Sequence, residues 1–423
     1  MGGQGARILL VFLAAGALLA GCASGPTPER VPLSLFTWVQ PEELAVNQEL
    51  VAEFERQHPD IEVTIINEPG QRAMDKLQTS IAAGKAPDVM SIHGAYFTPL
   101  AAKGALLDLE PLIEGDAEFD LGDFYPQLLP LCAYDGHLYS LPRYASVYVL
   151  FYNKDLFDEV GVGYPDDSWT WDDYLAAAKK LTRKSPDPTQ QRYGCVIDFW
   201  GARIYPWIWQ NGGRILDESR TQCLLDRPEA IEALQFLVDL VRKHKVAPLM
   251  SQEDSRETRE RFKAGRVAMF MSGAWDVQVL RRSSALRWEV APLPRNKQRA
   301  TLAGLENYAI SATTAHPGEA WALFKHLLGS RSQMTMASAV EKQPSRKSVA
   351  EGPYLQAQVG YDRRVFVGAL DYGKLPPNVA EWDRISHLVQ DRLDEIWIGQ
   401  TPVAEGMRRA AAGVTRELAA ARR

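Results

Sequence analysis

The hydrophobic positions change period in an orderly way along the chain. Leu33, Leu35 and Phe36 lie in a short apolar run that reads as a strand from Leu33 to Trp38, closed by a turn at Pro41. Leu44, Leu50, Val51 and Phe54 then recur at helical spacing until His58-Pro59 stops the helix. Ile61, Val63 and Ile65 alternate with polar residues, which predicts a second strand. Strand, helix, strand in so short a span is a βαβ unit with a right-handed crossover and a parallel pair. Met74, Leu77 and Ile81 mark another helix, and Asp88 to Ile92 another strand. The repetition predicts an open, doubly wound α/β sheet.

Further along the pattern becomes more helical. Tyr148 to Tyr152 reads as an apolar strand, and Thr170 with Asp173 forms a capping box that opens a helix from Trp171 to Leu181. Pro228 lies in the first turn of a helix whose stripe is Ile231, Leu234, Val238 and Val241. Glu319 to Leu328 is a helix stopped by Gly329. From Trp382 onward the sequence predicts two helices separated by Gly399-Gln400-Thr401-Pro402.

The first thirty residues follow a different rule. Ile8 to Ala20 is an apolar run of about 20 Å as a helix, shorter than the roughly 30 Å hydrocarbon core, so it reads as the h-region of a signal peptide. Leu19-Ala20-Gly21-Cys22 matches a lipobox, which predicts a leader over 1–21 and a lipidated Cys22. Residues 22–30, rich in Ser, Gly and Pro, read as a flexible tether. The expected location is outside the cytoplasm, anchored by lipid to a cell membrane.

Composition narrows the chemistry. The chain has 423 residues, and a net charge of −6 without long basic runs argues against a nucleic-acid partner. In an exported protein Cys132, Cys195 and Cys223 suggest one disulfide and one spare thiol, and Cys195–Cys223 is the expected pair. No GxSxG, HExxH or GxxxxGK[ST] occurs, and no cofactor is indicated. The run Asp116, Glu118, Asp120, Asp123 lacks the turn Gly and closing Glu of an EF-hand, so no metal is expected there. Eleven Trp and 15 Tyr exceed what core packing usually demands, so their placement matters.

Several motifs together resemble a family. Gly84-Lys85-Ala86-Pro87-Asp88-Val89, Leu138-Tyr139-Ser140-Leu141-Pro142 with Leu150 to Phe157, Trp169 to Tyr174, Phe262 to Met269 with Gly273-Ala274-Trp275, and Pro292-Leu293-Pro294 occur in order. They are similar to the family 1 extracellular solute-binding proteins of ABC importers, the group that includes maltose-binding protein. The resemblance implies a two-lobed, type II periplasmic-binding-protein-like α/β fold with each lobe a doubly wound sheet flanked by helices. Three hinge crossings would fall near Pro142-Arg143, Pro292-Leu293-Pro294 and Gln343-Pro344. Lobe one would then be 31–143 plus 292–343, and lobe two 144–291 plus 344–423. It also implies a non-enzymatic, monomeric receptor that delivers a carbohydrate to membrane permease subunits. A glycerol phosphodiester or other polyol-like solute, an anchored glycoside hydrolase and a sensory subunit are the alternatives.

Ligands of open α/β sheets lie beyond the carboxyl ends of strands. A sugar needs flat aromatic surface for its C–H face and planar polar groups for its hydroxyls. These two rules select Trp38, Gln40, Glu43, His93, Tyr96, Trp207, Gly304, Glu306 and Asn307. Arg143, Tyr144 and Arg346 stand beside the implied crossings, and the family motifs add Trp275 and Trp382. Of Trp207 and Trp209, one is expected to be core; Trp169 and Trp171 are both expected to be core.

Overall fold

The computed structural model describes residues 30–422 apart from 71, 188–189, 200, 250–254 and 284–285. The expected leader, Cys22, the tether up to Glu29 and Trp200 lie outside the described residues. None of the described helices is long and apolar enough to cross a membrane.

The described strands, in chain order, are β1 (Val31–Thr37), β2 (Ile61–Asn67), β3 (Val89–His93), β4 (Ala133–Tyr134), β5 (His137–Leu138), β6 (Ser140–Val147), β7 (Val149–Asn153), β8 (Tyr193–Cys195), β9 (Val267–Ser272), β10 (Trp288–Ala291), β11 (Thr301–Ile310) and β12 (Gly373–Lys374). A first sheet has the order β12-β11-β3-β1-β2, with β6 also pairing β11, farther along the strand than β12 does. β1 pairs in parallel with both β2 and β3, as the βαβ pattern requires. β11 runs antiparallel to β3 and to β6, so the sheet is mixed. The second sheet, β10-β7-β9-β8, is mixed as well: β7 is antiparallel to β9 and β10, and β8 is parallel to β9. The α/β class and two-sheet architecture therefore stand, with returning antiparallel strands in place of uninterrupted parallel winding.

Local chemistry explains the element boundaries. In the capping box Asp173 N–H donates to Thr170 Oγ1 at 3.3 Å and Thr170 N–H donates to Asp173 Oδ2 at 2.9 Å, which starts helix Trp171–Leu181 at the expected residue. Asn153 Oδ1 accepts from Leu156 N–H and caps helix Lys154–Val160, which ends at left-handed Gly161. Asp88, in the Pro-Asp-Val motif, accepts from Ser34 N–H at 2.8 Å and Ser34 Oγ at 2.7 Å through one oxygen, and from Thr314 Oγ1 at 2.7 Å through the other. One carboxylate thus staples β1, the entry to β3 and the turn after β11.

Apolar side chains cover both faces of each sheet. Leu33, Leu35, Phe54, Tyr308 and Phe324 pack on one face of the first, and Phe36, Met74, Met90 and Phe97 on the other. Trp171, Tyr174, Leu234 and the two C-terminal helices, Trp382–Trp397 and Val403–Ala420, fill the far side of the second sheet.

The expected Cys195–Cys223 disulfide is not formed: Cys132, Cys195 and Cys223 are all buried free thiols. The two apolar segments are not neighbouring strands. Cys195 ends β8 opposite Met269 and points its thiol at the Val246 carbonyl, whereas Cys223 is bridged to Leu216 and donates its N–H to Thr415 Oγ1. Burial pushes both thiols up to about 12, so they stay protonated and inert.

β8 approaches helix Trp171–Leu181 so closely that a Cβ on Gly194 would collide with the Ala178 carbonyl. Gly194→Ala is expected to destabilise the protein by about 1–3 kcal/mol through overpacking. Urea denaturation followed by tryptophan fluorescence checks this, and an unchanged midpoint would refute the close approach.

Candidate functional site

β1, β3 and β6 run in the same direction, because β1 is parallel to β3 and both β3 and β6 are antiparallel to β11. Their carboxyl ends therefore share one edge of the first sheet, and the second sheet begins at that edge with β7. Trp38 follows β1, His93 ends β3 and Tyr148 follows β6.

The Trp38 and His93 rings meet edge to face at 5.8 Å, and His93 meets Tyr96 in the same way at 6.3 Å. Asn67, at the end of β2, fixes Trp38 from behind. Its Oδ1 accepts from Thr37 Oγ1 and from Val39 N–H, both at 3.0 Å, and its Nδ2 donates to the Val39 carbonyl. Trp38 is only partly exposed, and its Nε1 is buried without a hydrogen-bond partner. Such a donor aimed into a site is what a ligand hydroxyl or a water satisfies.

A second aromatic pair belongs to the second sheet. Trp275 meets Tyr148 edge to face at 5.2 Å and keeps about a third of its surface, 37%, exposed. Its ring folds back over Gly273, where a Cβ would collide with it, so this glycine is required by packing and not by its backbone angle of −120°. Asp276 anchors the turn from below, accepting from Ser272 Oγ at 2.6 Å and Arg259 Nη1 at 2.9 Å. Arg203, ion-paired to Asp198, donates to the Tyr148 hydroxyl at 3.3 Å. Ser146 of β6 pairs with Gly304 of β11 at the floor of this edge.

Charges complete the first-sheet side. Arg143 is 1% exposed and forms ion pairs with Glu43 at 2.9 Å and Glu306 at 3.4 Å. It also donates to Ser91 Oγ and Asn47 Oδ1 at 3.2 Å, and its guanidinium lies over the rings of Tyr144 and Tyr308. Lys342 reaches Glu43 at 3.1 Å and Glu306 at 3.3 Å. Burial alone would raise the Glu306 carboxyl, but Lys342, Arg143 and His93 outweigh it and hold it below the usual carboxylate range. Glu306 pairs in register with His93 on one side and Tyr144 on the other, at a bulge in β11. Desolvation by its neighbours holds the His93 imidazole below its usual range, partly opposed by Glu306. At neutral pH the edge therefore presents an ionised carboxylate, a neutral imidazole and two aromatic pairs.

The structure sorts the expected residues. Trp38, His93, Tyr96, Gly304 and Glu306 share the edge, and Trp275 stands beside it against Tyr148. Gln40 is exposed before helix Pro41–Gln57 and caps nothing. Glu43 and Arg143 are buried in the charge cluster, so both are supports, not contact surfaces. Tyr144 lies buried beneath Lys342, its hydroxyl unpartnered.

The remaining expectations are corrected. Trp207 and Trp209 are both buried in helix Tyr205–Gln210, and Trp207 packs among Trp171, Tyr174 and Phe236 in the second core. Trp382 is buried against Tyr205. Asn307 is buried and donates to the Leu131 carbonyl. Arg346 turns away to Asp123, the Leu328 carbonyl and the Phe124 ring. That leaves Asp123 occupied, as Asp116 is by Trp321 and Lys325, and both carboxylates are structural ligands of cations.

Sequence reasoning missed Tyr148, Asn67 and Lys342. Tyr148 sits where the chain changes sheets, a position that strand patterning alone does not mark. Two open pockets, of about 290 Å³ beside Trp209 and Asn378 and about 500 Å³ beside Glu289 and Tyr361, share no residue with the edge. The edge is identified by its aromatic and hydrogen-bonding geometry.

Arg143 shares Glu43 and Glu306 with Lys342 and is the more deeply buried of the two cations. Arg143→Met is expected to cost about 3–5 kcal/mol of stability at pH 7, as for breaking a buried ion pair. Chemical denaturation of the two proteins checks this, and a loss below about 1 kcal/mol, the range of exposed pairs, would show the cluster to be solvent-screened.

The profile of the bacterial extracellular solute-binding proteins matches residues 40–334. An ABC substrate-binding protein from Listeria monocytogenes, solved with cycloalternan, superposes with a TM-score of 0.83 at 29% identity, covering 92% of this chain and all of the other. A galactooligosaccharide-binding protein of Bacillus subtilis is 21% identical over 89% of this chain and 87% of its own length. An uncharacterized lipoprotein of Streptomyces antibioticus is 27% identical over 82% and 78%.

Proposed function

Because the chain belongs to the bacterial extracellular solute-binding proteins, we propose that it captures a neutral carbohydrate between its two sheets and presents it to an ABC importer. The single observation that carries this reading is the pairing, on one edge, of stacking surface with acceptors. Trp275–Tyr148 and Trp38–His93–Tyr96 offer ring faces and edges, and the ionised Glu306 accepts from hydroxyls. The cycloalternan-bound and galactooligosaccharide-binding relatives support the substrate class.

A phosphodiester is a poorer fit. Recognition of phosphate calls for uncommitted guanidinium groups. Arg143, Arg203 and Arg346 are each already paired with a carboxylate: Glu43 and Glu306, Asp198, and Asp123. No turnover is part of the proposal: the solute leaves as it entered.

The mechanism is capture and closure. The expected lobes, 31–143 plus 292–343 and 144–291 plus 344–423, would keep this order with the first crossing moved from Pro142-Arg143 to Tyr148, because β6 stays in the first sheet to Val147. The last segment would lend β12 to the first sheet. The chain passes between sheets at β6–β7 and β10–β11, so rotation about these passages would bring Trp275 towards the Trp38 side and bury the sugar. An N-terminal lipid on Cys22 would hold the receptor, as a monomer, near the permease; the lipoprotein relative supports the anchor.

A thermal-shift screen of residues 23–423 against mono-, di- and oligosaccharides and glycerol phosphates tests the reading. A saccharide at 100 times its Kd should add about 2.7 kcal/mol of stability and raise the melting temperature. The sugar should be recovered intact, and Trp275→Ala should weaken its binding by about 10–100-fold, the loss expected for an aromatic anchor. Stabilisation by glycerol phosphates alone, cleavage of the sugar, or silence across the panel would each overturn the proposal.

A further inference from the structure

Lys342 directly precedes Gln343-Pro344, the expected third crossing, and follows a residue bound from the other side. Glu341 has a left-handed backbone, φ 58°, which costs a non-glycine residue energy and persists only where neighbours enforce it. Its carboxylate is held by Arg281, by Arg363 at 2.8 Å and by the Tyr361 hydroxyl at 2.6 Å, all outside the first sheet. The next side chain, Lys342, turns the opposite way and places its ammonium between Glu43 and Glu306, 5.0 Å above the Tyr144 ring.

From this we infer that Lys342 is a positioning residue of the sugar site: it keeps Glu306 ionised and aimed along the edge, and it does so from a segment whose conformation the second half of the molecule sets. This rests on the reading of Glu306 as the hydroxyl acceptor.

The groups facing Glu306 are Arg143 and Tyr144 from β6, His93 from β3, Glu43 from helix Pro41–Gln57, Tyr308 from β11 itself, and Lys342. Two carboxylates share two cations. Removing Lys342 leaves Glu43 and Glu306 competing for Arg143, and like charges that close cannot both stay ionised at low cost. Protonated Glu306 would become a donor on one oxygen and lose the charge that strengthens its bonds to hydroxyls.

Two measurements test this. The Glu306 side-chain carboxyl, ¹³C-labelled and assigned by its loss in Glu306→Gln, is titrated by NMR in the full-length soluble chain. The wild-type midpoint should fall below the ordinary value of about 4.3. Lys342→Met should raise it by about one unit or more, and Lys342→Arg should restore it. Saccharide affinity, measured on the best ligand of the panel, should be level from pH 8 to pH 5 in the wild type and fall by about two- to threefold over that range in Lys342→Met, as the ionised fraction of Glu306 drops. A wild-type midpoint at or above 4.3, a midpoint unmoved by Lys342→Met, or an affinity loss equal at every pH would overturn the role of Lys342. If the wild type binds no saccharide, the functional reading fails, while the ligand-free titration still decides whether Lys342 governs Glu306.

Discussion

The antiparallel pairing of Ser140–Val147 with Thr301–Ile310 is the constraint from which the rest follows. Both strands belong to the first sheet; Ser140–Val147 runs on past Tyr148 into a strand of the second, and Thr301–Ile310 follows another strand of the second, Trp288–Ala291, along the chain. The pair therefore fixes where the chain passes between sheets, and it brings the ends of β1, β3 and β6 to a common edge. It also forces Arg143 inward. A guanidinium at that depth is tolerable only when paired and hydrogen-bonded, and Glu43, Glu306, Asn47 and Ser91 meet this demand. The charge cluster is thus a consequence of the strand pair, and Glu306, the proposed acceptor, is a member of the cluster that still reaches solvent.

This arrangement separates support from contact. Glu43, Arg143, Asn47 and Asn67 are buried or turned inward and set geometry, whereas Trp38, His93, Tyr96, Glu306 and Trp275 present surface. The same division recurs on the second side, where Asp276 and Arg259 hold the turn and Trp275 meets solvent. Burial pushes the Asp276 carboxyl up, and its hydrogen bonds to Ser272 and Arg259 counter that. Buried polar groups satisfied in this way make the aromatic rings rigid, and rigid rings lose little entropy when a flat ligand face stacks on them.

Much of the fold was legible along the chain because local physics sets it. The βαβ start, the capping box at Thr170 and the two C-terminal helices depend on periodicity and on residues within a few positions of each other. The proposed site was partly legible for the same reason: Trp38 follows one apolar strand and His93 ends another, and strand ends are where ligands of open α/β sheets lie. Trp207, Trp382, Asn307 and Arg346 misled because aromatic and polar residues next to a strand or crossing look alike whether they face solvent or a core. The Cys195–Cys223 expectation failed similarly, since apolar flanks mark burial and not adjacency.

The sequence by itself determined the class of fold, the order of its elements, the kinship carried by its motifs and a set of residues with the right chemistry. Only the tertiary structure decided which of them meet. Lys342 and Glu306 are 36 residues apart and Arg143 and Glu43 a hundred, and the forces between them depend on distances of about 3 Å that no local pattern encodes. Hydrophobic periodicity acts through neighbours in the chain, whereas electrostatic pairing and ring contact act through space, and the site is made of the second kind.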